Sequence, residues 1–119
     1  MGLVRVRVIL ENPVNHRRLE TLAIVDTGAS YTIIPSRVDE RLGGLPRSGR
    51  RVRVKTAKGE DVLEEAMALV ELEGEKGFTP VLVSASLDEV LIGLLTLEAF
   101  GLKVDPITGR LEKTPIYLL

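Results

Sequence analysis

The sequence predicts a mostly β protein, a small sheet or closed barrel with one or two short helices. Three observations carry that prediction. Residues 3–10 alternate strictly, with Val4, Val6, Val8 and Leu10 on one face and Leu3, Arg5, Arg7 and Ile9 on the other; a period of two rich in Val is a strand signal. Short β-branched or apolar runs then recur along the chain, separated by turn-like stretches such as "ENPVNH", "DTGAS" and "GEKG", as strands bounded by turns are. Only two segments have helical character, so many short strands dominate, the pattern of a sheet or barrel protein.

In order along the chain, "ENPVNH" is a turn and residues 17–25 are a second strand ending in "LAIV". "DTGAS" is loop-like and "YTII" a short β-branched run. "PSRVDERLGG" predicts a short helix with Ser36 as N-cap, Asp39 three residues on, and Gly43 as its stop. "RRVRVKTAKGEDVLEEAMALVELEG" predicts a long hairpin turning at Ala57-Lys58-Gly59, with Arg51, Arg53 and Lys55 on one arm facing an acidic second arm. "GEKG" is a further turn, "FTPVLVS" a strand, and "VLIG" a short apolar run. "LLTLEAFG" is a helical turn or two closed by Gly101, "LKVDPITGRLE" a hairpin around Pro106 to Gly109, and "IYLL" a last strand.

Composition narrows the function. The 119 residues are 45% hydrophobic and 28% charged, as expected of one globular domain over 1–119. A net charge of −1 gives no overall footprint for nucleic acid or a membrane surface. The absence of Cys removes thiol nucleophiles, disulfides and thiolate metal sites. Arg5 and Arg7 break the N-terminal apolar run, so it does not have the form of a signal peptide, and a cytoplasmic location is expected. With no Gln, no Cys and only two Asn, the chain has the bias of a thermophilic source.

The most informative stretch is "AIVDTGASYTII", which sets one carboxylate, Asp26, between two apolar runs as if inside a core. A buried carboxylate is costly unless paired, hydrogen-bonded or protonated. "AIVDTGAS", followed downstream by "VLIG" and the helical "LLTLEAFGLKVD", resembles the retropepsin-like aspartic proteases over roughly residues 3 to 112. The resemblance implies a small closed-barrel acid-protease fold and a homodimer in which each chain gives one Asp-Thr-Gly loop to a shared site. It implies that Asp26 and its symmetry mate share a proton and activate a water against a peptide bond, with no cofactor and no metal. Two carboxylates at such a distance do not both ionise cheaply.

By the same resemblance, Thr27 reaches across the dimer axis, and Ala29 and Ser30 line the substrate backbone. Gly28 lets the loop approach the carboxylate. Ile92 and Gly93 pack beneath the loop, and the hairpin tip Ala57, Lys58 and Gly59 stands in the place of the flap, a lid over substrate. The substrate implied is an extended peptide or unfolded protein. Two departures stand out: Ser30 occupies a position where viral members usually carry a second Asp, and the hairpin tip has one Gly with Lys58 at its crown. A dimerisation or peptide-binding module without catalysis is the alternative on the same fold.

The remaining features read as ordinary surface. His16 has no second His or Cys with which to share a metal. Arg47, Arg50, Arg51, Arg53 and Lys55 form a charged strand face without interleaved aromatics. Ser84 and Ser86 are expected in a loop. "TPIYLL" is expected at the dimer interface.

Overall fold

The computed structural model describes residues 3–116 and Leu118. Strand β1 (Val4–Glu11) runs antiparallel to β2 (Arg18–Val25), in register from Val4↔Val25 to Glu11↔Arg18. Val6, Val8 and Leu10 are buried while Arg5 and Arg7 are exposed, so the alternation read from sequence is the inside and outside of the barrel wall. Between the two strands Asn12 is buried, and its amide donates to Leu42 O at 2.9 Å and Gly44 O at 3.0 Å.

The wall continues through β3 (Thr32–Pro35), β5 (Gly59–Leu72), β6 (Glu75–Ser84) and β7 (Val90–Ile92). Strand β7 lies parallel to β2 and antiparallel to β3, β3 parallel to β6, and β6 antiparallel to β5. The far end of β5 returns to β1 at Ile9↔Glu71 through Glu11↔Leu69, which closes a six-stranded barrel. Closure leaves the ring with no free edge. Inside sit Leu10, Ile34, Leu42, Leu72, Ile92 and Leu97, all fully buried.

Two hairpins and two helices are added to the ring. Strand β4 (Arg47–Thr56) pairs with the first part of β5, from Thr56↔Gly59 back to Arg47↔Ala66. The β4–β5 hairpin turns at Ala57-Lys58, where the sequence placed it. Strands β8 (Leu102–Asp105) and β9 (Arg110–Lys113) form a separate two-stranded sheet. Helix α1 (Ser36–Arg41) ends at Gly43, whose φ of 79° is left-handed, and helix α2 (Leu94–Ala99) is followed by Gly101 at φ 65°. Both glycines are C-terminal stops of the expected kind. No helix of the described residues is long and apolar enough to cross a membrane.

Four local expectations are corrected. Ser36 is not the N-cap of α1: Pro35 holds that position with no side-chain cap, and Ser36 is the first helical residue. Asp39, read as part of the cap signal, instead accepts from Leu45 N at 2.8 Å and from Arg47 at 2.8 and 3.0 Å. The turn expected at "GEKG" lies earlier, at Glu73-Gly74, with φ of 52° and 77°; two left-handed residues suit a tight two-residue hairpin loop, and Glu75 to Gly77 belong to β6. Ser84 is the buried last residue of β6 rather than a loop residue. The strand expected at "IYLL" falls partly on Tyr117 and Leu119, outside the described residues; Ile116 is exposed and in no strand.

Candidate active site

Asp26 is the first residue beyond β2. Its N–H donates to Ile92 O at 2.9 Å, adding one bond to the β2–β7 ladder, and the chain then turns with Ala29 N donating to Asp26 O at 3.1 Å. Gly28 N donates to Asp26 Oδ1 at 3.0 Å. A Cβ at Gly28 would stand 3.2 Å from that same oxygen, so glycine keeps this approach uncrowded. Asp26 is half-buried. The expectation of a carboxylate inside the core is therefore corrected: the apolar runs on either side are wall strands, and the acid sits where one of them ends.

The loop rests on α2. Leu94 N donates to Ala29 O at 2.8 Å and Leu95 N to Ser30 O at 2.9 Å. These are first-turn helix amides, which have no partner inside their own helix, so loop and helix satisfy each other. Gly93 makes the contact possible. A Cβ there would fall 2.3 Å from the Tyr31 carbonyl oxygen and 2.9 Å from Thr32 N. Behind the loop three buried hydroxyls join: Thr32 to Thr96 at 2.7 Å and Thr79 to Thr96 at 2.9 Å, with Gly93 N donating to Thr32 Oγ1 at 3.1 Å. Each buried polar atom thus has a partner, as a low-dielectric interior requires.

In front of the loop an open cleft of about 760 Å³ lies between Asp26 and the β4–β5 hairpin. Asp26, Gly28, Ala29 and Ser30 line one side, and Ala57, Lys58 and Gly59 at the hairpin tip line the other. Ile33, Leu82, Leu87 and Leu91 give the cleft an apolar wall. Seven of the ten residues singled out from sequence meet here. Ile92 and Gly93 lie behind the loop, and Thr27 is exposed on its other side, in a second groove of about 410 Å³ with Leu94, Leu97 and Ile116.

The hairpin is held mostly by its own contacts. Thr56 Oγ1 donates to Gly59 O at 3.1 Å and accepts from Lys58 N at 3.2 Å. Arg53 pairs with Glu60 at 2.9 Å across the arms, both well exposed. At its root Arg47 bridges Asp39 at 2.8 Å and Glu64 at 3.5 Å. Burial pushes the Asp39 carboxyl up, but the Arg47 and Leu45 hydrogen bonds and the Arg47 charge outweigh it and hold it below the ordinary carboxylate range. His16 is exposed beside Glu11, with Nδ1 at 3.3 Å from Oε2, and among the described residues no three His, Cys, Asp or Glu converge as a metal site.

Sequence reasoning passed over Tyr31 and the threonine cluster, and took Arg50 only as part of a charged strand face and Glu65 only as part of the acidic arm, although Tyr31, Glu65 and Arg50 join loop to hairpin. Each reads as an unremarkable strand or turn residue, and the contacts between them are long-range in sequence.

A closed six-stranded barrel with an Asp-Thr-Gly loop set under a long hairpin defines a retropepsin-like fold. The sequence profile of a family described as Aspartyl protease matches residues 13–99, a span that includes the loop, the hairpin and most of the ring. The chain belongs to this family of retropepsin-like aspartyl proteases. No curated protein matches the chain.

Proposed function

We propose that the chain is an aspartic endopeptidase that acts as a homodimer, with Asp26 of each copy forming one catalytic pair. The observation that carries this reading is Asp26 itself, fixed by Gly28 N and Ile92 O at the floor of a cleft roofed by the hairpin. One Asp-Thr-Gly is present in these 119 residues, and in this reading the second carboxylate comes from a second copy. Thr27, exposed on the side away from the cleft, supports an approach of that copy along the loop.

In this mechanism one carboxylate of the pair is ionised and the other protonated, because two adjacent negative charges are unfavourable. The ionised Asp26 takes a proton from water as the water oxygen attacks the peptide carbonyl carbon. The protonated partner gives its proton to the carbonyl oxygen, which stabilises the charge developing there. Collapse of the tetrahedral intermediate breaks the C–N bond, and the nitrogen leaves with a proton from the pair. Both proton movements are thus handled by carboxyl groups. Thr27 braces the opposing loops, Ala29 and Ser30 bind an extended substrate backbone, and Ala57 to Gly59 close over it. The substrates are extended or unfolded protein segments in the cytoplasm.

The test is cleavage of an unfolded protein from mildly acidic to neutral pH by wild type and Asp26→Asn. Cleavage abolished by the substitution is expected. Equal cleavage by both would overturn the assignment, and no cleavage by a folded wild-type dimer would favour a peptide-binding module on the same fold.

A further inference from the structure

Tyr31 lines the cleft five residues after Asp26, and its carbonyl is packed against Gly93. Its other end is also fixed. The Tyr31 hydroxyl donates to Glu65 Oε2 at 2.9 Å and accepts from Arg50 Nη1 at 3.0 Å, while Arg50 also reaches Glu65 Oε2 at 3.4 Å. The Glu65 side chain is only 12% exposed, so removing a partner leaves a poorly hydrated carboxylate. The nearby Ser48 hydroxyl, the Tyr31 hydrogen bond and the Arg50 charge hold that carboxyl below the ordinary range, while Ser48 Oγ itself donates to the Glu65 backbone carbonyl at 3.5 Å.

The place of this network in the hairpin is specific. Glu65 pairs with Leu82 of β6, next to the point where β5 joins the barrel wall; residues 51–63 pair only within the hairpin. On the other arm the β4 register shifts between Arg47 and Arg51, with Gly49 at φ 87° and Arg50 N donating to Ser48 Oγ at 3.1 Å. A bulge of this kind bends a strand and re-aims a side chain; here the side chain is Arg50. Both arms therefore change from anchored to free at the height of the Tyr31 hydroxyl.

We propose that Tyr31, Glu65 and Arg50 form a latch at the hinge of the β4–β5 hairpin, which ties the position of the lid to the loop that carries Asp26. Tyr31 and Glu65 are then positioning residues for substrate, acting through the hairpin. The part of this that concerns substrate rests on the peptidase reading; the latch itself does not.

Hydrogen–deuterium exchange of wild type, Tyr31→Phe, Glu65→Gln and the double variant tests it, alongside KM and kcat on a peptide substrate. Each single variant is expected to speed exchange of the hairpin amides in residues 51–64 by about 3- to 10-fold, the size of one net hydrogen bond, with β1 and β6 unchanged. The double variant adds little, because the two residues act as a unit. KM is expected to rise by a similar factor with kcat changed less than about 2-fold, the mark of lost uniform binding. Unchanged hairpin exchange in Tyr31→Phe, or acceleration spread equally over β1 and β6, would overturn the latch. An unchanged KM with faster hairpin exchange would overturn its link to substrate. A wild type that cleaves nothing removes the peptidase reading but leaves the exchange result to decide the latch.

Discussion

The Asp26 loop and the β4–β5 hairpin face each other across one cleft, yet they are built on opposite physical terms. The loop is held from behind by backbone bonds to Ile92, Leu94 and Leu95, by the contact at Gly93 and by three buried hydroxyls. The hairpin beyond its root has exposed charge pairs and no barrel neighbour. Buried, fully partnered contacts are rigid and intolerant of change, whereas exposed ion pairs contribute little and exchange readily with water. A fixed carboxylate beneath a movable cover is what a lid-gated site needs.

That contrast can be broken most sharply at Gly93. Gly93→Ala sets a Cβ against the Tyr31 carbonyl and is expected to destabilise by about 3 kcal/mol or more, seen as a large drop in the denaturant midpoint. A loss under 1 kcal/mol would mean that the loop yields more readily than its packing implies. Next comes the root of the hairpin. Asp39→Ala strands the Leu45 N–H and leaves Arg47 with only Glu64 as an ion-pair partner among the described residues, and a loss of about 2–4 kcal/mol is expected by thermal or chemical unfolding. Because the Asp39 carboxyl is held below its unfolded value, its stabilisation is present above the unfolded pKa and is lost as pH falls through the lowered folded one. The melting temperature should therefore drop as pH falls below about 4, and the drop should be shallower in Asp39→Asn.

Thr96→Val tests the buried hydroxyls behind the loop. It removes the hydroxyl that joins Thr32 and Thr79, at an expected cost of about 1–2 kcal/mol, with the melting temperature as the readout. Arg53→Ala, on the exposed part of the hairpin, should change stability by no more than about 0.5 kcal/mol. An effect as large as that of Thr96→Val would show that the hairpin is held as firmly as the loop.

The same division explains what the sequence disclosed. The barrel strands were legible because one face of each is buried, which imprints a period of two on residues such as Val4 to Leu10. The Asp-Thr-Gly loop was legible because its motif is contiguous and lies between apolar wall strands. The start of α1 was not, because Ser36 has the chemistry of a cap while Pro35 already supplies the entry geometry. The turn after β5 was displaced because Glu73 adopts a left-handed conformation that few residues of its type take up. The latch of Tyr31, Glu65 and Arg50 depends on a bulge and on partners 15 to 34 positions apart. No local pattern encodes such a contact.

The central claim, one shared site built from two copies of Asp26, is tested most directly by mixing. Wild type and Asp26→Asn are combined in equal amounts, allowed to exchange subunits, and assayed for peptide cleavage at constant total protein. If each dimer needs both carboxylates, random pairing leaves about a quarter of the wild-type activity. A value of about half, once subunit exchange is verified with tagged copies, would mean that each chain works alone and that no site is shared.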